Sequence, residues 1–246
     1  MYKQAFVCYN EIESLWDITM NKNMAHLGIL FVVATPIGNY GDISLRALEV
    51  LKNADAVACE EYRLGSTLLK KLGIGEKKLI ILNEHNETEG TEEVIQTLLS
   101  GQSIALISDC GTPSFADPGT NLVKRCVEYG ISVKSIPGAS SLMAAISLSP
   151  LPLKEFYFAG FLPRGESERR EKLNFLKSLR IPIVLMDTPY RLGKLLGEVG
   201  TNFGKNRLVT LAIDLTLPAE NLLHGPVGEI SQRIKDRKAE FILILH

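Results

Sequence analysis

Gly28-Ile29-Leu30-Phe31-Val32-Val33-Ala34-Thr35-Pro36-Ile37-Gly38-Asn39 is the stretch on which the fold turns. Residues 29–34 form a short, continuous apolar run that ends at a turn rich in Pro and Gly. Such a run reads as a strand buried on both faces, the pattern of a parallel sheet. The period then changes. Leu45, Leu48 and Leu51 recur at helical spacing over residues 44–53, with Asp42 or Ser44 available as the N-cap. Strand, tight turn and helix in succession form the repeating unit of an α/β fold.

Working outward, the same rhythm continues. Strands are expected at 54–59, 79–82, 103–107 and 132–136, and helices at 67–72, 91–99 and 119–129. Gly73 and Gly130 stand where two of these helices should stop. Leu148-Ser149-Pro150-Leu151-Pro152 reads as a hinge, because two prolines stiffen the connection and break the period. Beyond it, strands are expected at 156–161, 183–186, 207–213 and 241–245, with charged helices at 166–179 and 191–199. The last two strands read as a hairpin-like or mixed sheet joined through Leu223-His224-Gly225-Pro226-Val227. The domain expectation is therefore α/β throughout: an N-terminal domain over 28–149 and a C-terminal domain over 150–246. Residues 1–27, where Tyr2, Phe6, Tyr9 and Trp16 alternate with polar residues without a period, read as an N-terminal extension.

Bulk properties narrow the function classes. At 246 residues the chain can hold one large domain or two small ones, since domains run ~100–200 residues. Apolar residues make up 46%, enough for a sizeable core. A formal net charge of −1 gives no global drive toward nucleic acid, so any basic surface must be local. The four cysteines, Cys8, Cys59, Cys110 and Cys126, form no C-x-x-C pair and no zinc pattern, as expected of a reducing compartment. No apolar run reaches the ~20 residues that span a bilayer. The N-terminus lacks the features of a secretory signal. The reading is a cytosolic chain.

Ligands of open α/β sheets bind beyond the carboxyl ends of the strands, and several strand-terminal loops here carry small and polar residues. Thr35 to Asn39 follows the first strand. It is not G-x-G-x-x-G, and Pro36 removes an N–H that a pyrophosphate cradle would use. No phosphate-binding G-x-x-x-x-G-K-[ST] occurs. Ser108-Asp109-Cys110-Gly111-Thr112-Pro113 continues to Asp117-Pro118-Gly119. Its glycines allow close backbone approach to a ligand. Asp109 or Asp117 could accept hydrogen bonds from a ribose or an ammonium group, and Asp117 could equally cap the following helix. Ile136-Pro137-Gly138-Ala139-Ser140-Ser141 and Asp187-Thr188-Pro189-Tyr190-Arg191 are two more such loops. Glu60-Glu61-Tyr62-Arg63 and Asn83-Glu84-His85-Asn86-Glu87 belong to the same sheet edge. His85 with Glu87 is too sparse a set for a metal site, and no metal is expected.

With these residues in order, the chain resembles the tetrapyrrole-methylase superfamily, and within it the branch that methylates ribose in 16S rRNA. The resemblance rests on Val33 to Asn39, Leu45-Arg46-Ala47-Leu48, Glu60 to Arg63, His85-Asn86-Glu87, Ser108 to Pro113, Asp117-Pro118-Gly119, Ile136-Pro137-Gly138, Gly160-Phe161-Leu162-Pro163-Arg164 and His224-Gly225-Pro226-Val227-Gly228-Glu229. It implies two α/β lobes with S-adenosylmethionine (S-adenosyl-L-methionine) bound in the cleft between them, in a homodimer. It further implies a cytidine of 16S rRNA, cytidine 1402, in the small ribosomal subunit as acceptor. Pro36, Ser108, Asp109, Cys110, Gly111, Thr112, Pro113, Phe115, Ser140, Ser141, Met186 and Ala212 would line the cofactor site. Gly38, Asn39, Glu61, Arg63, Asn86, Glu87, Asp117 and Arg164 would meet the substrate. Arg164 and Arg169-Arg170-Lys172 would supply local positive charge for RNA phosphates.

The chain departs from the branch's pattern at Glu60-Glu61-Tyr62-Arg63, at Tyr190 before Arg191, and at Ala212-Ile213-Asp214-Leu215-Thr216-Leu217. Other readings are a relative that methylates a tetrapyrrole or another small acceptor, or an RNA-binding relative without turnover. Methyl transfer from a sulfonium is an in-line displacement, so positioning dominates. A ribose hydroxyl benefits from a base within hydrogen-bond reach. Glu60, His85 and Asp109 are the candidates.

Overall fold

The computed structural model describes residues 27–114, 119–235 and 237–246. The expected extension, apart from Leu27, and the site positions Phe115 and Asp117 lie outside them.

Two five-stranded sheets organise the chain. The first contains β1 (Ile29–Val33), β2 (Ala56–Cys59), β3 (Lys78–Ile81), β4 (Ile104–Ile107) and β5 (Ser132–Ile136), in the order β3-β2-β4-β1-β5. All its pairings are parallel. β2 and β4 are buried at every residue, which is why they read as unbroken apolar runs. Leu30, Ala58, Ile80 and Leu106 pack on one face against α3 (Glu87–Leu99) and α4 (Thr120–Glu128). Val33, Val57, Ala105 and Ile107 pack on the other against α1 (Leu45–Asn53) and α2 (Tyr62–Lys71). Ser44 caps α1, its hydroxyl accepting the Ala47 N–H at 3.1 Å. At Gly65 a Cβ would come within 2.7 Å of Cys59 Sγ, so this glycine lets α2 lie on the end of β2.

The second sheet is mixed, in the order β6-β7-β10-β8-β9. β6 (Tyr157–Phe161) runs parallel to β7 (Ile183–Met186). β10 (Phe241–Leu245) is antiparallel to both β7 and β8 (Leu208–Ile213), and β8 is antiparallel to β9 (Asn221–Pro226). The mixed-sheet expectation holds, with one correction: Leu223 to Pro226 is not a connector but the edge strand β9, and Val227 opens α8 (Val227–Ile234). Pro is tolerated at such a strand end because no ladder N–H is needed there. α6 (Glu166–Ser178), α7 (Leu192–Phe203) and α8 cover one face through Leu173, Leu176, Leu195, Val199 and Ile230. α5 (Ser141–Ser147) lies on the other, with Ala145 against Val184, Ala212 and Ile242. No helix among the described residues is long and apolar enough to cross a membrane.

Candidate active site

β1 and β4 are neighbours, yet the chain leaves them toward opposite faces of the sheet, to α1 and to α4. At such a switch point the two departing loops part and leave a crevice. Here Thr35 pins them together. It is 1% exposed, and its hydroxyl lies 3.0 Å from the Ser108 carbonyl and 3.2 Å from the Gly111 carbonyl, donating between them. It accepts the Gly111 N–H at 3.1 Å, and the Thr35 N–H donates to the Gly111 carbonyl at 2.8 Å. Gly111 sits at φ +84°, and a Cβ there would press on Ile37 at 3.2 Å. Thr112 Oγ1 donates to the Ala139 carbonyl at 3.2 Å, joining the loop after β5 to the same wall. Ser140 caps α5, accepting the Met143 N–H at 3.4 Å.

The facing wall comes from the second sheet. Phe161 and Met186 end β6 and β7, Asp214, Leu215 and Leu217 follow β8, and Glu240, Phe241 and Ile242 lead into β10. The cleft between the walls has a volume of about 250 Å³. Its charged lining residues are Asp214 and Glu240, both carboxylates, with apolar surface from Ile37, Leu142, Phe161 and Met186. Asp214 is held by Arg237 at 2.7 Å. Partial burial, and then the Asp214 carboxylate, raise the Glu240 carboxyl above its ordinary range. A cleft so lined suits a ligand with positive charge and a sizeable apolar body, and disfavours a phosphate.

The two walls meet where Gly38 touches the turn after β8. A Cβ on Gly38 would lie 2.9 Å from Thr216 Oγ1 and 3.1 Å from the Leu215 carbonyl. The Asn39 N–H donates to Thr216 Oγ1 at 3.0 Å, while the Asn39 side chain caps its own 3-10 turn by accepting the Gly41 N–H at 2.9 Å.

Six of the expected cofactor residues line this cleft: Cys110, Gly111, Thr112, Ser140, Ser141 and Met186. Pro36, Ser108, Pro113 and Ala212 are buried and are not among the residues that line it. Ser108 shapes its loop, its hydroxyl accepting the Cys110 N–H at 3.2 Å. Thr35, at the head of the loop after β1, does not line the cleft and is the buried pin.

The loops after β2 and β3 lie along the same sheet edge but line no part of this cleft. Asp109 directly precedes the lining residue Cys110, Glu60 is one strand away at the end of β2, and His85 is beyond it after β3. Burial, then Asp109, then Glu60 push the Cys59 thiol up to about 11, so both carboxylates stand close to it. His85 is exposed, and its backbone N–H donates to Asn83 Oδ1 at 3.0 Å. Asn86 is committed to its own turn: Oδ1 accepts the Asn83 N–H at 2.8 Å and Nδ2 donates to the Ile81 carbonyl at 2.9 Å. Glu87 begins α3, Glu61 and Arg63 are exposed at the start of α2, and Arg164 is exposed between β6 and α6.

The expected basic face of α6 is corrected at Arg169, while Arg170 is exposed. Arg169 is 3% exposed. Its Nη2 lies 3.0 Å from Asp187 and 2.7 Å from Glu198, and its Nη1 donates to the Pro163 carbonyl at 3.2 Å. Burial works against its charge, but the bonds to Glu198 and Asp187 hold its pKa above the ordinary value. It fastens the loops after β6 and β7 and is closed to phosphates. Glu240 escaped the sequence reading, and Asp214 and Phe161 were named there without a place in the cofactor site. Phe161 carried a usable signal, since it ends a strand before a Pro-containing loop like the others.

Fold and cleft define a two-sheet α/β enzyme whose ligand site lies between its halves. Residues 30–231 match the family of tetrapyrrole (corrin/porphyrin) methylases. The chain is 40% identical over 225 residues to the ribosomal RNA small subunit methyltransferase I of Neisseria meningitidis serogroup A, covering 89% of this chain and 76% of that protein. Among solved structures it is similar to a diphthine synthase, with TM-score 0.69, 17% identity and 88% of each chain covered. It is also similar to uroporphyrin-III C-methyltransferase from Thermus thermophilus complexed with S-adenyl homocysteine, with TM-score 0.63, 17% identity, and 89% of this chain and 96% of that one covered. The chain belongs to the tetrapyrrole methylase family and is a methyltransferase.

Proposed function

We propose that the protein transfers a methyl group from S-adenosylmethionine to the 2′-hydroxyl of a cytidine ribose in 16S rRNA of the small ribosomal subunit. We further propose that it works in the cytoplasm as a homodimer. The observation that carries the donor assignment is the lining of the inter-lobe cleft, with two carboxylates, no cationic side chain among the described lining residues, and apolar walls around Gly111. The acceptor assignment draws on the name of the Neisseria relative.

The residues fit the donor. Gly111, Thr112 and Ser140 offer backbone and hydroxyl partners, Ile37, Leu142 and Met186 offer apolar contact, and the Asp214 and Glu240 carboxyls offer acceptor oxygens to a cation. When bound, the donor supplies an electrophilic methyl on a sulfonium. The chain's part is to hold the acceptor oxygen in line and take its proton as the C–O bond forms, while the S–C electron pair stays on sulfur. Of the three candidate bases we assign Asp109, because it adjoins the cleft wall, whereas Glu60 and His85 stand one and two strands away.

Calorimetry with S-adenosylmethionine, followed by methyl transfer to small subunits from a strain lacking the gene, tests this reading. The expected result is cofactor binding and one new ribose methylation on a cytidine. Absence of cofactor binding overturns the donor assignment. Binding with no new mark on 16S rRNA overturns the acceptor and favours a small-molecule substrate.

A further inference from the structure

A polyanionic acceptor needs a basic surface, and of the cations expected on α6 only Arg170 is left exposed. Arg169 is buried in its ion pairs, and the Lys172 ammonium donates to the Tyr157 hydroxyl at 3.1 Å and lies over the Tyr157 and Phe175 rings. Another cluster stands beside the cleft. Tyr190 is 76% exposed, on the short 3-10 turn Pro189–Arg191 that follows β7. Lys238 Nζ lies 5.0 Å over the centre of its ring and makes no ion pair among the described residues. Resting on the premise that the acceptor is RNA, we propose that Tyr190 and Lys238 form a stacking platform for one nucleotide of a single-stranded acceptor at the mouth of the cleft.

Position supports this. Tyr190 is four residues past Met186, and Lys238 two residues before Glu240, both of which line the cleft. The neighbouring Arg237 reaches Asp214 in the cleft wall at 2.7 Å. The platform is held still: Asp187, itself buried, accepts the Thr188 N–H at 2.9 Å and stands 3.8 Å from Arg191, and the Arg191 N–H donates to the Thr188 carbonyl at 2.9 Å. An aromatic ring on a fixed turn loses little freedom when a base stacks on it.

Chemistry supports it too. An ammonium over one face of a ring is attracted by the π-electrons and leaves the other face for a base. Exposed aromatics next to basic side chains are how single-stranded RNA is bound with little sequence preference, the ring taking the base and the cation a phosphate. The local sequence Lys235-Asp236-Arg237-Lys238 carries net positive charge, while Arg191 and Lys194 face carboxylates, Asp187 at 3.8 Å and Glu198 at 3.9 Å. Gly193, at the start of α7, lies close enough to the Lys235 carbonyl that a Cβ would be 3.2 Å away, so these segments abut. The charges divide the labour: carboxylates inside the cleft keep phosphates out, and cations at the mouth hold the strand while one nucleotide enters.

The test is steady-state methylation of small subunits from a strain lacking the gene, read as KM and kcat at several salt concentrations. S-adenosylmethionine affinity by calorimetry serves as the check on folding. Tyr190→Ala is expected to raise KM for subunits about tenfold with kcat and cofactor affinity close to the parent, while Tyr190→Phe stays within about twofold. Lys238→Ala is expected to lower the salt slope of KM by about one. A Tyr190→Ala protein with the parent's KM, or a Tyr190→Phe protein as impaired as the alanine variant, overturns the platform and leaves the RNA reading standing. A parent that binds cofactor but does not methylate subunits overturns both.

Discussion

Replacing Thr35 with Val keeps the outline of a buried side chain and removes one hydroxyl, and the structure says what that hydroxyl holds. It donates between the carbonyls of Ser108 and Gly111 and accepts the Gly111 N–H. The Gly111 carbonyl keeps its second partner, the Thr35 N–H at 2.8 Å. The Gly111 N–H is therefore left short and the Ser108 carbonyl loses this bond, beside a side chain only 1% exposed. A buried polar group without its partner costs about 1–3 kcal/mol, and each net bond lost about 0.5–1.5 kcal/mol. The added methyl returns about 0.8 kcal/mol. The expected loss for Thr35→Val is about 2–4 kcal/mol, or roughly 5–15 °C in Tm for a chain of this size.

Thr35→Ser is the partner experiment. It keeps the hydroxyl and loses one methyl, so its cost is about 1 kcal/mol. Urea denaturation followed by circular dichroism gives both values, and titration with S-adenosylmethionine reads the effect on the Gly111 wall. Because Gly111 and Thr112 line the cleft, Thr35→Val should also weaken cofactor binding, with the serine variant close to the parent. A valine variant no less stable than the serine variant would refute the view that the hydroxyl pins the two loops.

Arg169→Met removes the cation between Asp187 and Glu198, and breaking a buried pair from one side costs about 3–5 kcal/mol. A urea denaturation midpoint close to the parent's would count against this. Glu240 has a raised pKa from burial and then from Asp214, so its share of stability is full below the unfolded carboxyl value of about 4.3 and is lost as pH climbs through the folded one. Glu240→Gln should therefore gain on the parent between pH 4 and pH 7, and a gap that stays constant over that range contradicts the assignment.

The first sheet was legible because strands covered on both faces carry continuous apolar runs, as in the stretches 56–59 and 104–107. The second was legible where the same held, at Phe241–Leu245. β9 was not: its sequence Asn221-Leu222-Leu223-His224-Gly225-Pro226 mixes exposed and buried positions and closes with Gly and Pro, which locally signal a turn. The first turn of α2 was missed for a related reason, since Tyr62 and Arg63 are exposed and carry no periodic signal. In the site, the rule that ligands gather at carboxyl ends found the loops after parallel strands. It could not find Glu240, because β10 is antiparallel to β7 and β8 and brings its amino end to that edge. Arg169 looked like one more cation on a charged helix. Its partners lie 18 and 29 residues away on other elements, and no local pattern announces them.

Why the two walls keep their spacing follows from the turn after β8. Asp214 and Thr216 both have positive φ, 50° and 65°, a conformation costly for residues other than glycine, at about 1–3 kcal/mol each. Such a turn persists only if its surroundings hold it from several sides. The Asp214 carboxylate is clamped by Arg237, the Leu217 N–H donates to the Asp214 carbonyl at 3.0 Å, and the Thr216 N–H donates to Glu220 at 2.6 Å. The remaining contact is across the molecule: Thr216 Oγ1 accepts the Asn39 N–H at 3.0 Å, over a Gly38 with no room for a side chain. One segment thus aims Asp214 into the cleft and fixes how near the first sheet's loop can come. The strain sits at the joint between the walls, where it sets their distance.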